Sequence, residues 1–145
     1  MILISHRGNI DGKTIELENN PVYIDDAIEA GYDVEIDIWY HQHSFWLGHD
    51  YGQYEIDVNW LKERSHKLWI HCKNHSALEN LMFENNLHLF WHDEDDVTIT
   101  SMGFIWSHPK INPLKNSIAV LPEIHNRSID DCVGICSDNI IKYKR

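Results

Sequence analysis

The chain has 145 residues, of which 43% are hydrophobic and 24% charged, so a single folded domain covering 1–145 is the expected organisation. The 23 acidic residues exceed the 12 basic ones and give a formal net charge of −11, which argues against long nucleic acids and anionic membrane surfaces as partners. The odd count of three cysteines indicates no disulfide framework. The sequence shows no signal-peptide pattern and no apolar run that could span a bilayer, which predicts a cytoplasmic protein without membrane insertion.

Strands and short helices alternate in the first half of the chain. Residues 1–6 form an apolar run that ends in polar residues, which is typical of a buried parallel strand. Asn20-Pro21 is a helix start and Gly31 a helix stop, which predicts a helix over 21–30. The remaining elements predicted in this half are strands at 33–39, 45–47 and 67–71 and helices at 57–65 and 77–82.

The second half contains strand patterns without helices of comparable quality between them. The candidate strands are 87–91, 103–106, 117–121 and 133–136. An alternation of strands and helices followed by strands on short connections predicts an α/β fold with a mainly parallel sheet that is curled or closed.

Glu35 and Asp37 are the strongest candidates for a metal site. Residues two apart on a strand point to the same face, so the two carboxylates lie side by side. They could mark a solvated edge strand, but Val34, Ile36 and Ile38 between and beside them predict that the opposite face is buried. Paired carboxylates in a confined space suit a divalent cation such as Mg²⁺, Mn²⁺ or Ca²⁺.

Histidines and cations follow several strands. His6, Arg7 and Gly8 end the first strand, where a guanidinium is suited to gripping a phosphate and glycine allows close approach of the backbone to a ligand. His71 and Lys73 share one face at the end of another strand, and His71 is a candidate third metal ligand. For each histidine the alternative is a structural role, and for 92–96 an acidic, solvated loop is the preferred interpretation.

Taken together, these blocks resemble the glycerophosphodiester phosphodiesterase family, within the wider group of phospholipase C-like phosphodiesterases that includes sphingomyelinase D. Members begin with a strand ending in His-Arg-Gly, followed by Glu-Asn, Glu-x-Asp, His-Asp and Glu-x-Lys. The corresponding blocks here are His6-Arg7-Gly8, Glu18-Asn19, Glu35-Ile36-Asp37, His49-Asp50 and His71-Cys72-Lys73. The segment from Gly134 to Asp138 is similar to the end of the family's last strand.

The resemblance implies a TIM-type barrel and a metal-dependent phosphodiesterase acting on a small-molecule phosphodiester such as a glycerophosphodiester. By position, His6 and His49 are the general acid and base, and Arg7 and Lys73 are catalytic residues that hold the phosphate. Glu18 and Asn19 support the substrate site. Glu35, Asp37 and His71 bind the divalent metal ion.

Two departures from the family pattern matter. A TIM barrel usually needs ~200 to 250 residues, so we expect a compact, truncated (β/α) barrel with several outer helices shortened or missing, in which a homodimer could cover part of the surface. His71 stands where the family has a carboxylate, which moves metal preference toward Mn²⁺. The alternative function is a catalytically inactive barrel that binds a phosphorylated ligand or a protein partner. A nuclease-like enzyme or one acting on cyclic nucleotides is the third hypothesis.

Overall fold

The computed structural model describes residues 1–145, and most of its regular structure is β-sheet. The ten strands, in chain order, are β1 (Ile2–His6), β2 (Asp33–His41), β3 (Ser44–Leu47), β4 (Tyr54–Ile56), β5 (Leu68–Cys72), β6 (Leu89–Trp91), β7 (Val97–Ile99), β8 (Ile105–Ser107), β9 (Ser117–Val120) and β10 (Gly134–Ser137). The three helices are α1 (Pro21–Glu29), α2 (Val58–Glu63) and α3 (His75–Leu81). Short 3-10 helices cover Ile15–Leu17, Pro122–Ile124 and Ile140–Tyr143. None of these helices is long and apolar enough to cross a membrane.

Each α-helix begins at a polar capping side chain. Asn20 Oδ1 accepts a hydrogen bond from the Val22 backbone N–H at 2.9 Å, and Pro21 occupies the first helical turn, where its missing N–H costs nothing. Asp57 and Asn74 cap α2 and α3 in the same way. The prediction of helix 21–30 is therefore confirmed to within one residue.

Parallel pairing organises the sheet. Seven strands lie parallel in the order β6-β5-β2-β1-β10-β9-β8. The antiparallel strands β3 and β4 extend from the second half of β2, and β7 runs antiparallel to β8 at the other end. The carboxyl ends of the parallel strands meet at one edge of this curled, mixed sheet, so side chains at the strand ends face one another.

The expected TIM-type barrel is wrong. The sheet is a mixed half-barrel, and only its first half has α-helices between strands. From β6 onward the connections are loops, and Pro109 and Pro113 interrupt the connection between β8 and β9, where proline would remove helical hydrogen bonds. Antiparallel strands and loops therefore replace the outer helices of a TIM-type barrel in the second half of the chain.

The two faces of the sheet have different cores. Val34, Ile36 and Ile38 of β2 are fully buried and pack with the helices in a cluster that includes Ile24 and Leu61. On the inner, concave face, an aromatic cluster fills the space below the site. Its buried members are Ile4, Trp69, Phe90, Trp106, Ile118, Val120 and Cys136. Glu35 and Asp37 belong to this inner face, which confirms that they do not lie on a solvated edge.

Candidate metal and phosphodiester site

The sequence-predicted histidines and cations line one pocket at the carboxyl ends of the parallel strands. The pocket has a volume of about 260 Å³. The predicted site residues that line it are His6, Arg7, Glu35, His49, His71 and Lys73. Lys73 follows β5 directly and is held there because its backbone N–H donates to the Ile38 carbonyl at 2.8 Å. Strand order therefore brings together residues that are up to 67 positions apart in the chain (6 to 73).

The carboxyl groups of Glu35 and Asp37 are buried and lack some of their hydrogen-bond partners. Glu35 is 2% exposed and Asp37 is fully buried. One oxygen of each, Glu35 Oε2 and Asp37 Oδ1, has no hydrogen-bond partner. A buried acceptor that lacks a partner is costly, and two carboxylates side by side also repel each other. A cation between them would satisfy both oxygens.

The pKa values of the two carboxyl groups move in opposite directions. Burial raises the pKa of Glu35 well above its usual range, and the neighbouring Asp37 carboxylate raises it further. Burial also opposes ionisation of Asp37, but the Arg7 guanidinium beside it and the hydrogen bond from Asn19 lower the pKa of Asp37 below its usual range. Burial of both groups thus disfavours a second negative charge on the pair, and a bound cation would favour ionisation of Glu35.

His71 is oriented as a metal ligand. Its Nε2 lies 3.0 Å from the His92 backbone carbonyl, which can only accept, so Nε2 carries the proton and donates. Nδ1 then directs a lone pair toward the acids, 3.3 Å from Asp37 Oδ1 and 3.8 Å from Glu35 Oε1, and it forms no hydrogen bond with either oxygen. Metal-binding histidines usually donate their second nitrogen to a carbonyl or a carboxylate in this way. Stacking of the ring on Phe90, with centroids 4.9 Å apart, holds this orientation.

The donor set fits a divalent cation. Glu35, Asp37 and His71 each offer a ligand atom, and these atoms lie within 4.8 Å of one another. Two carboxylate oxygens and one imidazole nitrogen suit Mn²⁺ better than Ca²⁺, which prefers oxygen ligands alone. The Glu35 and Asp37 oxygens that lack hydrogen-bond partners support a cation site at this position.

Arg7 is wedged between carboxylates at the edge of the pocket. Its Nε lies 2.9 Å from Asp37 Oδ2, and its Nη1 donates to Glu18 Oε1 at 3.3 Å. Burial opposes the charged form, but Asp37 and Glu35 raise the pKa of Arg7, so the guanidinium is permanently charged. Asn19 supports the same acid, because its side-chain N–H donates to Asp37 Oδ2 at 2.9 Å and its Oδ1 accepts from the Asp37 backbone N–H. Glu18 thus orients Arg7 and Asn19 orients Asp37 through these hydrogen bonds. Both residues also line a second pocket beside Arg7.

Gly8 has a packing role that the sequence pattern did not indicate. Its backbone has a φ of +96°, and a Cβ at this position would lie 2.5 Å from Tyr23 Cδ2. Glycine is therefore needed here so that the Tyr23 ring can pack against the loop.

His49 reaches the pocket from the loop after β3. Its side chain is 43% exposed, and its Nδ1 lies 2.8 Å from Asp50 Oδ1. Burial and the positive charge of Arg7 lower the pKa of His49. The imidazole is therefore predominantly neutral at pH 7 and able to accept a proton.

Two polar residues at the site have no predicted role in the sequence: Asn9 and Asp138. Asp138 Oδ1 accepts from His6 Nδ1 at 2.7 Å and from Asn9 Nδ2 at 2.9 Å. Asn9 also donates to Glu18 and accepts from the Tyr23 hydroxyl, so it links the two sides of the site. The sequence could have indicated Asp138 as a site residue, because it directly follows the last strand and all parallel strands end at this edge of the sheet.

The rim opposite His49 carries two further histidines. His92 and His108 line the pocket with their rings stacked, with centroids 5.3 Å apart and planes inclined by 8°. Burial lowers the pKa of both. Residues 93–96 are exposed, which confirms the predicted solvated loop, but His92 at its start belongs to the site.

Comparison with protein-family models, with curated proteins and with solved structures finds no match to this chain.

Proposed function

We propose that this chain is a metal-dependent phosphodiesterase that cleaves a small phosphodiester, such as a glycerophosphodiester, by general acid–base catalysis. The observation that carries the proposal is a pocket of about 260 Å³ lined by His6, His49, Arg7, Lys73 and Glu35, with Asp37 buried beside Glu35 and one oxygen of each carboxyl group lacking a hydrogen-bond partner. The resemblance of the five sequence blocks to the glycerophosphodiester phosphodiesterase family supports the same function. The net charge of −11 favours a small substrate over a nucleic acid polymer.

Arg7 and Lys73 bind the phosphate of the diester. Both cations line the pocket, and a guanidinium can contact two phosphate oxygens at once. A divalent ion held by Glu35, Asp37 and His71 would supply further positive charge for the phosphoryl oxygens as negative charge develops on them.

His6 and His49 transfer the protons. One imidazole takes the proton of the attacking hydroxyl, from water or from the substrate itself, as the new oxygen–phosphorus bond forms. The other imidazole gives a proton to the leaving alcohol as the old bond breaks, so that proton transfer is balanced. Asp138 holds Nδ1 of His6, which leaves Nε2 free to face the pocket.

The test is a hydrolysis assay on the model diester bis(p-nitrophenyl) phosphate with Mn²⁺. Release of nitrophenolate that stops when the metal is chelated supports the proposal. Absence of release by metal-saturated protein contradicts it.

The second candidate function is that of a catalytically inactive protein that binds a phosphorylated ligand or a protein partner. The residue at position 71 favours it, because His71 stands where the resembled family has a carboxylate. Under the leading proposal, His71→Glu shifts metal preference from Mn²⁺ toward Mg²⁺ or Ca²⁺ and keeps hydrolysis. Under the second candidate, neither protein hydrolyses any diester, whereas both bind inorganic phosphate.

A further inference from the structure

Another cavity lies on the outer face of the sheet, on the opposite side of β1 and β10 from the candidate site. Its volume is about 400 Å³, which falls within the range of small-molecule sites. The residues that shape it are apolar or basic: Leu3, Ile129, Ile135, Tyr143, Lys142 and Arg145. None of them takes part in the roles proposed above for the phosphate or the metal.

The floor of the cavity consists of outward-facing side chains of the two strands. Leu3 and Ile135 are direct partners in the parallel pairing of β1 with β10, and they alternate with Ile4 and Cys136, which belong to the inner cluster. Ile135 is fully buried, whereas Leu3 and Ile129 are only partly buried. An apolar floor therefore remains accessible to a ligand.

The fold leaves this floor open because a short 3-10 helix, rather than an α-helix, packs on it. This helix covers Ile140–Tyr143, and its Ile140 is buried in a cluster with Tyr32 and Ile135. Tyr143 at the end of the helix forms one wall of the cavity. Its hydroxyl donates to Glu123 Oε2 at 3.4 Å, and Glu123 is not a lining residue, so the ring offers the cavity its apolar surface.

The charge of the cavity is opposite to that of the chain. Lys142 and Arg145 line it, are exposed and form no salt bridge, whereas other basic side chains such as Arg64 pair with acids. No aspartate or glutamate is among the lining residues, although the chain has 23 acidic and 12 basic residues. The candidate site, by contrast, contains Glu35 beside its cations. Two unpaired cations above an apolar floor favour an anion that also has an apolar part.

A second copy of the chain does not fit this charge pattern. A two-fold contact places the same surface on both subunits. Lys142 and Arg145 would then face their own copies, and like charges across an interface repel.

We propose that this cavity binds a small amphiphilic carboxylate. Its apolar tail packs on Leu3, Ile129 and Ile135, and its carboxylate pairs with Lys142 and Arg145. The planar guanidinium of Arg145 can donate two parallel hydrogen bonds to one carboxylate. The inference does not depend on the proposed function, because the cavity lies on the other face of the sheet from the candidate site.

The test is a calorimetric titration of the protein with octanoate. Two matched probes divide this ligand into its parts: acetate has the carboxylate without the long tail, and octylammonium has the tail with the opposite charge. We expect saturable binding of octanoate at one site per chain, with acetate and octylammonium each at least about tenfold weaker.

Variants of the lining residues locate the bound carboxylate. Lys142→Gln should weaken octanoate binding about fivefold, because it removes one exposed charge that pairs with the carboxylate. Ile129→Ser should weaken it by a similar factor, because it removes apolar surface beside the tail. Lys115→Gln neutralises an exposed lysine outside the cavity, and this matched control should bind octanoate as the wild type does.

Several results would overturn the inference. They are absence of saturable octanoate binding, unchanged octanoate affinity in Lys142→Gln, and octylammonium binding as strong as that of octanoate. Loss of octanoate binding in Lys73→Gln but not in Lys142→Gln would place the carboxylate at the candidate site instead. Sedimentation velocity tests the remaining occupant, because dimers that dissociate in Ile129→Ser would assign the cavity to a second copy of the chain.

Discussion

His6 Nδ1 lies 2.7 Å from Asp138 Oδ1, a contact that joins the first strand to the residue after the last one. Since a carboxylate can only accept, the contact places a proton on Nδ1 and leaves Nε2 of His6 free on the pocket side, 3.8 Å from Glu35 Oε2. Burial opposes ionisation of Asp138, but the hydrogen bond from His6 lowers the pKa of this carboxyl below its usual value. Asp138 is therefore ionised at neutral pH and can stabilise the imidazolium form of His6 in the proton-transfer steps.

Asp138→Asn should lower kcat on bis(p-nitrophenyl) phosphate by about 100-fold, because the amide no longer stabilises the charged imidazole and can favour the wrong tautomer. Steady-state kinetics with Mn²⁺ measure this effect. The matched control is Asp131→Asn, which neutralises an exposed carboxylate and should leave kcat within twofold of wild type. Equal rates for the two variants would show that Asp138 does not act through His6.

His6→Ala and His49→Ala should each reduce turnover at least ~100-fold and leave the circular dichroism spectrum unchanged, because a positioned acid or base contributes 10²- to 10⁴-fold. His125→Ala, at an exposed position outside the pocket, is the control and should have wild-type turnover. A histidine whose removal leaves near-normal activity has no part in proton transfer.

Much of the local structure can be predicted from the spacing of apolar residues. The alternation of Val34, Ile36 and Ile38 predicts a strand with one buried face, and the structure contains that strand as part of β2. The cap at Asn20 and the stop at Gly31 predict helix α1 for a similar reason, since both act within a few residues of the element. The three-residue strands β4 and β7 are absent from the prediction, because each has a polar middle residue and lacks the continuous apolar run that marks the equally short strands β6 and β8.

The architecture and part of the site could not be predicted in this way. The TIM-type barrel was implied by the family resemblance, and it is wrong because the connections after β6 contain no α-helices, as the apolar spacing of the second half had indicated. The cluster of Glu35, Asp37 and His71 could be predicted from the sequence, because β2 and β5 are adjacent parallel strands. The contact between His6 and Asp138 depends on the pairing of β1 with β10, which no local pattern encodes.

Mn²⁺ should raise the thermal stability of the wild-type protein, and Asp37→Asn should abolish that gain. A ligand that binds only the native state at 100 times its Kd adds about 2.7 kcal/mol to the free energy of unfolding. Differential scanning calorimetry with and without Mn²⁺ measures the difference. Asp26→Asn, on the helix α1, should respond to Mn²⁺ as the wild type does. A metal-dependent gain that persists in Asp37→Asn would place the ion elsewhere.

Acid should destabilise the protein through His88. This residue is 5% exposed, its Nε2 lies 2.6 Å from Thr100 Oγ1, and burial lowers the pKa of His88 from 6.5 to about 4. Between these pH values the unfolded chain binds more protons than the native state, so the free energy of unfolding decreases as pH falls from about 6.5 to about 4. The loss attributable to this group is about 3 kcal/mol.

Urea denaturation of wild type and His88→Gln across this range isolates the contribution of His88, since other titrating groups are common to both proteins. The difference in unfolding free energy should change with pH in the stated direction, whereas His66→Gln, at an exposed position, should run parallel to wild type. Parallel curves for wild type and His88→Gln would contradict the assignment.

Under the proposed function, cleavage of a phosphodiester in this pocket requires a cation bound by Glu35, Asp37 and His71. Titration of Mn²⁺ into metal-stripped protein, with calorimetric occupancy and the initial rate of bis(p-nitrophenyl) phosphate hydrolysis recorded on the same sample, tests this requirement. We expect one site per chain and a rate that rises in proportion to its occupancy, with both lost in Asp37→Asn. Full occupancy without hydrolysis, or hydrolysis that is undiminished in the metal-stripped protein, would contradict it.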